Sequence, residues 1–214
     1  MSTATPAAPT AFRFIPATLD ATQWSQLEPL YQKLLDRTLK CANCLEGLIL
    51  DRSELDAAAA EAEANLYIAM TCHTDDADIK ARFLKFVEEV DPNLKRVGFD
   101  LDRKIVESPH ASALDQARYG TLLRSLKQEV KLFRAENVPL QTEVTKRDQQ
   151  YSEINGAMTV QFDGTERTLP QMARFLEETD RARREASWRV VAERRLQDVT
   201  RIDAIYDEML QLRA

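Results

Sequence analysis

Residues 159–172 read TVQFDGTERTLPQM, from Thr159 to Met172. On either side apolar residues recur three and four apart, the spacing of helices. Inside this stretch the spacing drops to two around one Asp-Gly dipeptide. Asp163-Gly164 fits a two-residue turn with positive φ at both positions, whose twist matches a hairpin. That turn predicts Phe162 opposite Thr165, Val160 opposite Arg167 and Met158 opposite Leu169. Met158, Val160 and Phe162 then share one face. A lone two-stranded hairpin is marginal in water, so this face must be covered. Thr168 and Gln171 have the spacing of a capping box, and Pro170 falls in the first turn, so the hairpin leads into a short helix over 169–177. The fold class is all-α: a bundle of long antiparallel helices with one short β-hairpin over about residues 158–169.

Composition agrees. The 214 residues include only five glycines, and 29 basic side chains face 35 acidic ones, a net charge of −6. Ala, Leu, Glu, Arg and Lys favour helix. Both signs of charge are mixed along the chain, which argues against nucleic acid or an anionic membrane as partner. No apolar run approaches the ~18 residues of a membrane span. The start, MSTATPAAPTA, lacks the charged-then-apolar pattern of a secretory signal and reads as a disordered tail over 1–11. Three cysteines without such a signal point to a cytoplasmic location with reduced thiols.

Along the chain, Phe12 to Pro16 reads as extended. Asp20, with Gln23, is a candidate cap for a helix carrying Trp24, Leu27, Leu30, Tyr31, Leu34 and Leu35, kinked or broken at Pro29. A short helix over 40–51 and a new start at Ser53 with Asp56 follow. The four alanines at 57–60 permit close backbone approach. Ile79, Phe83, Phe86, Val87 and Val90 form the next stripe. Asp91-Pro92 reads as a fresh helix start, followed by Leu94, Val97, Leu101 and Ile105. Tyr119, Leu122, Leu126, Val130 and Phe133 mark another helix, and Gly156 closes the one after it. The last helix is capped by Thr179 or Asp180 and carries Trp188, Ala192, Leu196, Val199, Ile202, Tyr206 and Met209 as one unbroken stripe toward Leu212.

Chemistry is sparse. The two histidines, His73 and His110, lack the His-Glu-x-x-His pattern of zinc proteases. Cys41 and Cys44 with Cys72-His73 make a poor zinc spacing, and no strand precedes Cys41 as a thioredoxin-like site would need. The default is two small side chains on a helix. His73-Thr74-Asp75-Asp76 could hold a cation, but its default reading is a helix start capped by Thr74 or Asp75. The arginines between 181 and 195 alternate with Glu and Asp, as on a solvated face. No catalytic, cofactor-binding or metal-binding residue is assigned.

Three phrases carry a resemblance: YIAMTCHTDD (67–76), RYGTLLRSLKQEVKLFRAENVPLQTE (118–143) and INGAMTVQFDGTERTLPQMARFLEETDRARREASWRVVAERR (154–195). Together they resemble the N-terminal half of oligoendopeptidase F-type enzymes, thimet oligopeptidase-like zinc metallopeptidases, from about Phe12 to the end. The resemblance implies a helical N-terminal lobe over 12–214 that walls a channel for short peptides. It implies zinc in the full-length family enzyme, on a His-Glu-x-x-His helix of a catalytic half absent from this sequence, and no metal in this chain. Its partners would be short peptides and that missing half. The hairpin would be a structural joint. A stand-alone helical adaptor or scaffold is the alternative, and a thiol-metal or redox protein a third reading.

Overall fold

The hairpin forms as its spacing requires. In the computed structural model, which describes residues 14–214, β1 (Thr159–Phe162) pairs antiparallel with β2 (Thr165–Thr168). Phe162 lies opposite Thr165 and Val160 opposite Arg167. Asp163 (φ 53°) and Gly164 (φ 71°) both occupy the left-handed region. The expected tail over 1–11, with Phe12 and Arg13, lies outside the described residues.

The capping box also forms. The Thr168 hydroxyl accepts from the Gln171 amide while Gln171 accepts from the Thr168 amide, opening α7 (Leu169–Met172). A 3-10 segment, Ala173–Glu177, completes the short helix.

The other α-helices among the described residues are α1 (Trp24–Asp36), α2 (Ala42–Cys72), α3 (Ala77–Lys85), α4 (Asp91–Val106), α5 (Gln116–Leu132), α6 (Asn137–Gly156), α8 (Arg181–Gln197) and α9 (Val199–Arg213). Among the described residues no helix is long and apolar enough to cross a membrane.

Several boundaries differ from the expected ones, each for a local reason. Asp20 does not cap α1; its carboxylate accepts from the amide and hydroxyl of Thr22, and the helix begins after Gln23. Pro29 lies inside α1 without breaking it. Ser53 and Asp56 start no helix, because Asp56 instead receives Arg52 and the Tyr31 hydroxyl while α2 runs straight through. Pro92 falls in the first turn of α4 as read, but Asp91 is the first helical residue rather than the cap, because Val90 before it is already helical. A π-helical turn, Phe86–Val90, precedes α4, and Asp91 pairs with Lys95 at 2.7 Å. A proline lacks the N–H that an α ladder needs, and a widened turn accommodates the loss. On α5, Leu123 is buried in place of the expected Leu122. Finally, the terminal stripe is divided at Asp198, whose carboxylate is held by Arg194 at 2.6 Å.

The described residues divide into two compact units, 14–65 with Glu88–Val138, and Leu66–Val87 with Pro139–Ala214. In the first, Leu27, Leu34, Leu45, Leu48, Leu55 and Leu101 are fully buried. Removing such a side chain from water contributes about 1.5–3 kcal/mol. Arg52 joins Asp102 at 2.5 Å and Asp56 at 3.1 Å within this core. Burial, with Asp56 beside it, pushes the Tyr31 hydroxyl above the ordinary tyrosine range. Phe99 stacks on Phe133 with centroids 4.3 Å apart.

In the second unit the hairpin supplies two small cores. Met158 packs with Ile154 and Ile205. Val160 packs with Met172 and Phe175, with Phe162 against them. The apolar face of the hairpin is therefore covered, by α6, α7, α8 and α9 residues of the same unit. A third cluster gathers Met70, Phe83 and Val87.

Candidate functional site

The second unit holds a cleft of about 680 Å³. Three segments line it: Thr74, Asp75 and Lys80 around the start of α3, Glu153, Ile154, Gly156 and Ala157 at the end of α6, and Arg194, Asp198 and Arg201 at the α8–α9 junction. Each segment is placed by a local device. Asp76 caps α3 by accepting from the Asp78 and Ile79 amides, one residue beyond the caps expected from the sequence. Those amides, Ile79 foremost, hold the Asp76 carboxyl below the usual range. Gly156 lets the end of α6 meet Thr74, since a Cβ there would lie 2.9 Å from the Thr74 methyl. Asp198 ends α8.

The cleft is charged and largely self-neutralised. Lys80 pairs with Glu153 at 2.6 Å, and Arg194 with Asp198 at 2.6 Å. Its lining residues include no cysteine, histidine or serine. Such a surface can hold polar groups but contains no nucleophile–base pair.

Beside the hairpin lies an aromatic centre. Phe175 is buried, and the guanidinium groups of Arg174, Arg167 and Arg183 stand 4.6, 5.1 and 5.3 Å from its ring centre. Arg183 is neutralised by Asp163 and Glu178. Arg184 donates to the Glu178 and Thr179 carbonyls, and Arg189 pairs with Glu185. Most of the arginine run thus builds its own surroundings, in keeping with a solvated face.

The terminal helices carry a further feature. Trp188 (60 % exposed), Leu196 (67 %) and Tyr206 (61 %), with Val199 and Leu210, form an uncovered apolar strip on α8 and α9. Most of these positions belong to the terminal apolar stripe, and a stripe of that length requires a partner surface, internal or external.

The thiols are arranged differently from the expectation. Cys41 and Cys44 are not separate side chains but a disulfide, whereas Cys72 is free and exposed. Cys41 precedes α2, and Cys72 is its last residue. Among the described residues no group of three or more His, Cys, Asp or Glu could hold a metal ion. The donors present therefore do not fit a zinc site.

Comparison with known proteins places these features in a family. The family model of the Peptidase M3 N-terminal domain matches residues 14–133. A solved structure described as oligoendopeptidase F shares 25 % identity at a TM-score of 0.82, over 89 % of this chain and 34 % of that one. A second described so, from Bacillus anthracis str. Ames, gives 23 % and 0.81, over 89 % and 35 %. PZ peptidase A, solved with an inhibitor, gives 24 % and 0.81, over 89 % and 34 %. No curated protein matches. This chain spans about a third of the length of the structures it resembles. With more than half of its residues matched by the family model, the chain belongs to the Peptidase M3 N-terminal domain family.

Proposed function

We propose that residues 12–214 act as the N-terminal helical lobe of a zinc-dependent oligoendopeptidase, walling a channel that admits short peptides. One observation carries this reading: 89 % of the chain superposes, at a TM-score of 0.82, on about a third of an oligoendopeptidase F. The uncovered strip at Trp188, Leu196 and Tyr206 supports it, since an apolar surface of this kind marks an interface. The remaining two thirds of such an enzyme is the occupant the reading assigns.

Under this reading the bond-breaking groups and the zinc belong to that other portion, and no catalytic step is assigned to this chain. Its work is shape: helices that limit the passage to extended peptides, braced by the hairpin as a joint. A cytoplasmic location belongs to the same proposal.

The test is complementation. The 214-residue chain and the C-terminal two thirds of the matching oligoendopeptidase F are purified separately and mixed. Hydrolysis of a quenched fluorescent peptide of about eight residues is then followed. The reading requires no hydrolysis by the chain alone and chelator-sensitive hydrolysis by the mixture. Chelator-sensitive hydrolysis by the chain alone would refute it, and so would failure of the two portions to associate.

A further inference from the structure

We propose that Cys41 and Cys44 form a redox-active disulfide that exchanges with low-molecular-weight thiols of the glutathione class. The pair sits where such a bond is reachable and reversible, and where it does little as a staple. Its two cysteines are three residues apart and span the first turn of α2. That turn is already closed by the Cys44 and Leu45 amides donating to the Cys41 carbonyl, each at 3.1 Å. A cross-link around so short a loop removes little freedom from the unfolded chain.

Reactivity follows from the surroundings. Cys41 is exposed and Cys44 half-buried, so an incoming thiolate meets the Cys41 sulfur first. The Cys44 amide donates to the Cys41 Sγ at 3.2 Å. A sulfur at the start of a helix gains from the aligned peptide dipoles when it becomes a thiolate. The frame persists when the bond opens. Arg37 is tied to Asp51 at 2.7 Å, Lys104 donates to the Arg37 carbonyl at 2.7 Å, and Leu45 is fully buried.

The exchange balances. A thiolate attacks Cys41 Sγ, the Cys41–Cys44 bond breaks, and Cys44 leaves as a thiolate that takes a proton. A second thiolate attacks the bound sulfur, releasing Cys41. Two small thiols are oxidised to one disulfide, and the protein disulfide is reduced to two thiols.

The test is thiol counting by intact mass. The full chain is equilibrated in buffers of graded reduced-to-oxidised glutathione ratio and quenched with a maleimide. One label is expected at the oxidising end, on exposed Cys72, and three at the reducing end, with unchanged helical circular dichroism. Cys41→Ser and Cys44→Ser should each lose the paired two-thiol step, and any label they lose at the oxidising end should appear in the intact mass as a glutathione adduct. Three labels throughout would show that no disulfide forms and would overturn the proposal. A single label throughout, raised only by denaturant, would identify an inert staple and overturn it equally.

Discussion

Arg183 on α8 donates to the carboxylate of Asp163 at 2.5 Å, tying the tip of the hairpin to the helix that follows it twenty residues later. The same guanidinium lies 5.9 Å from the Phe162 ring and 5.3 Å from that of Phe175. One side chain thus links the turn, the strand and the short helix.

The turn gives the first prediction. A Cβ at Gly164 would meet open space, but its φ is 71°. Gly164→Ala should cost about 1–2 kcal/mol through backbone strain. Asp163→Asn keeps a residue that tolerates the left-handed region and loses only a half-exposed charge pair. Its cost should stay below about 1 kcal/mol. Urea unfolding of both variants measures the difference.

Gly156 and Thr74 give a second. Gly156→Ala would place a methyl 2.9 Å from the Thr74 methyl. Thr is stiff at its first torsion, so the loop must move, at about 1–3 kcal/mol. Thr74→Ala removes the obstacle, and in that background Gly156→Ala should become neutral or mildly stabilising. A double-mutant cycle by denaturant unfolding reads the coupling. Additive effects would show that the two residues do not meet.

In the first unit, Asp102→Ala should destabilise by about 3 kcal/mol, since it strips one partner from a buried guanidinium. Arg52 would keep Asp56 alone. Thermal or denaturant melting gives the value. A loss below about 0.5 kcal/mol would mean that water replaces the carboxylate.

Asp76 predicts a pH dependence. Its folded carboxyl titrates below the ordinary aspartate value because the Ile79 and Asp78 amides stabilise the anion. The stability it contributes is therefore present above the unfolded value, near about 4. It is lost as pH falls through the lower folded value. Asp76→Asn, which can still accept from the amides, should flatten stability against pH in that acidic window. Carbon-detected NMR titration of the carboxyl checks the direction independently.

The exposed strip supplies a prediction tied to function. Trp188→Ser and Tyr206→Ser should leave stability within about 0.5 kcal/mol, as expected of exposed positions away from special features. Both should weaken association with the C-terminal two thirds of the matching oligoendopeptidase F, measured by calorimetry. Unchanged association would remove the strip from that interface.

What the residues by themselves determine is local. The Asp-Gly turn with the Phe162–Thr165 and Val160–Arg167 register, the Thr168–Gln171 box and a cap at Asp180, one of two candidates, each depend on a few neighbours and form; the expected Met158–Leu169 pair does not, because Leu169 already opens α7. The all-helical class follows from composition and period, and the three quoted phrases carried the family resemblance. Other features depend on groups distant in the chain. Asp56 is drawn from its capping role by Tyr31, and Gly156, the last residue of α6 rather than a left-handed residue beyond it, is required by Thr74 and not by the helix end. The cleft joins three segments spread over more than a hundred residues, and no local spacing encodes it. The stripe on α8 and α9 was legible as apolar, yet only packing showed that part of it stays uncovered. Period reports which face is apolar; which surface meets that face is a property of the assembled molecule.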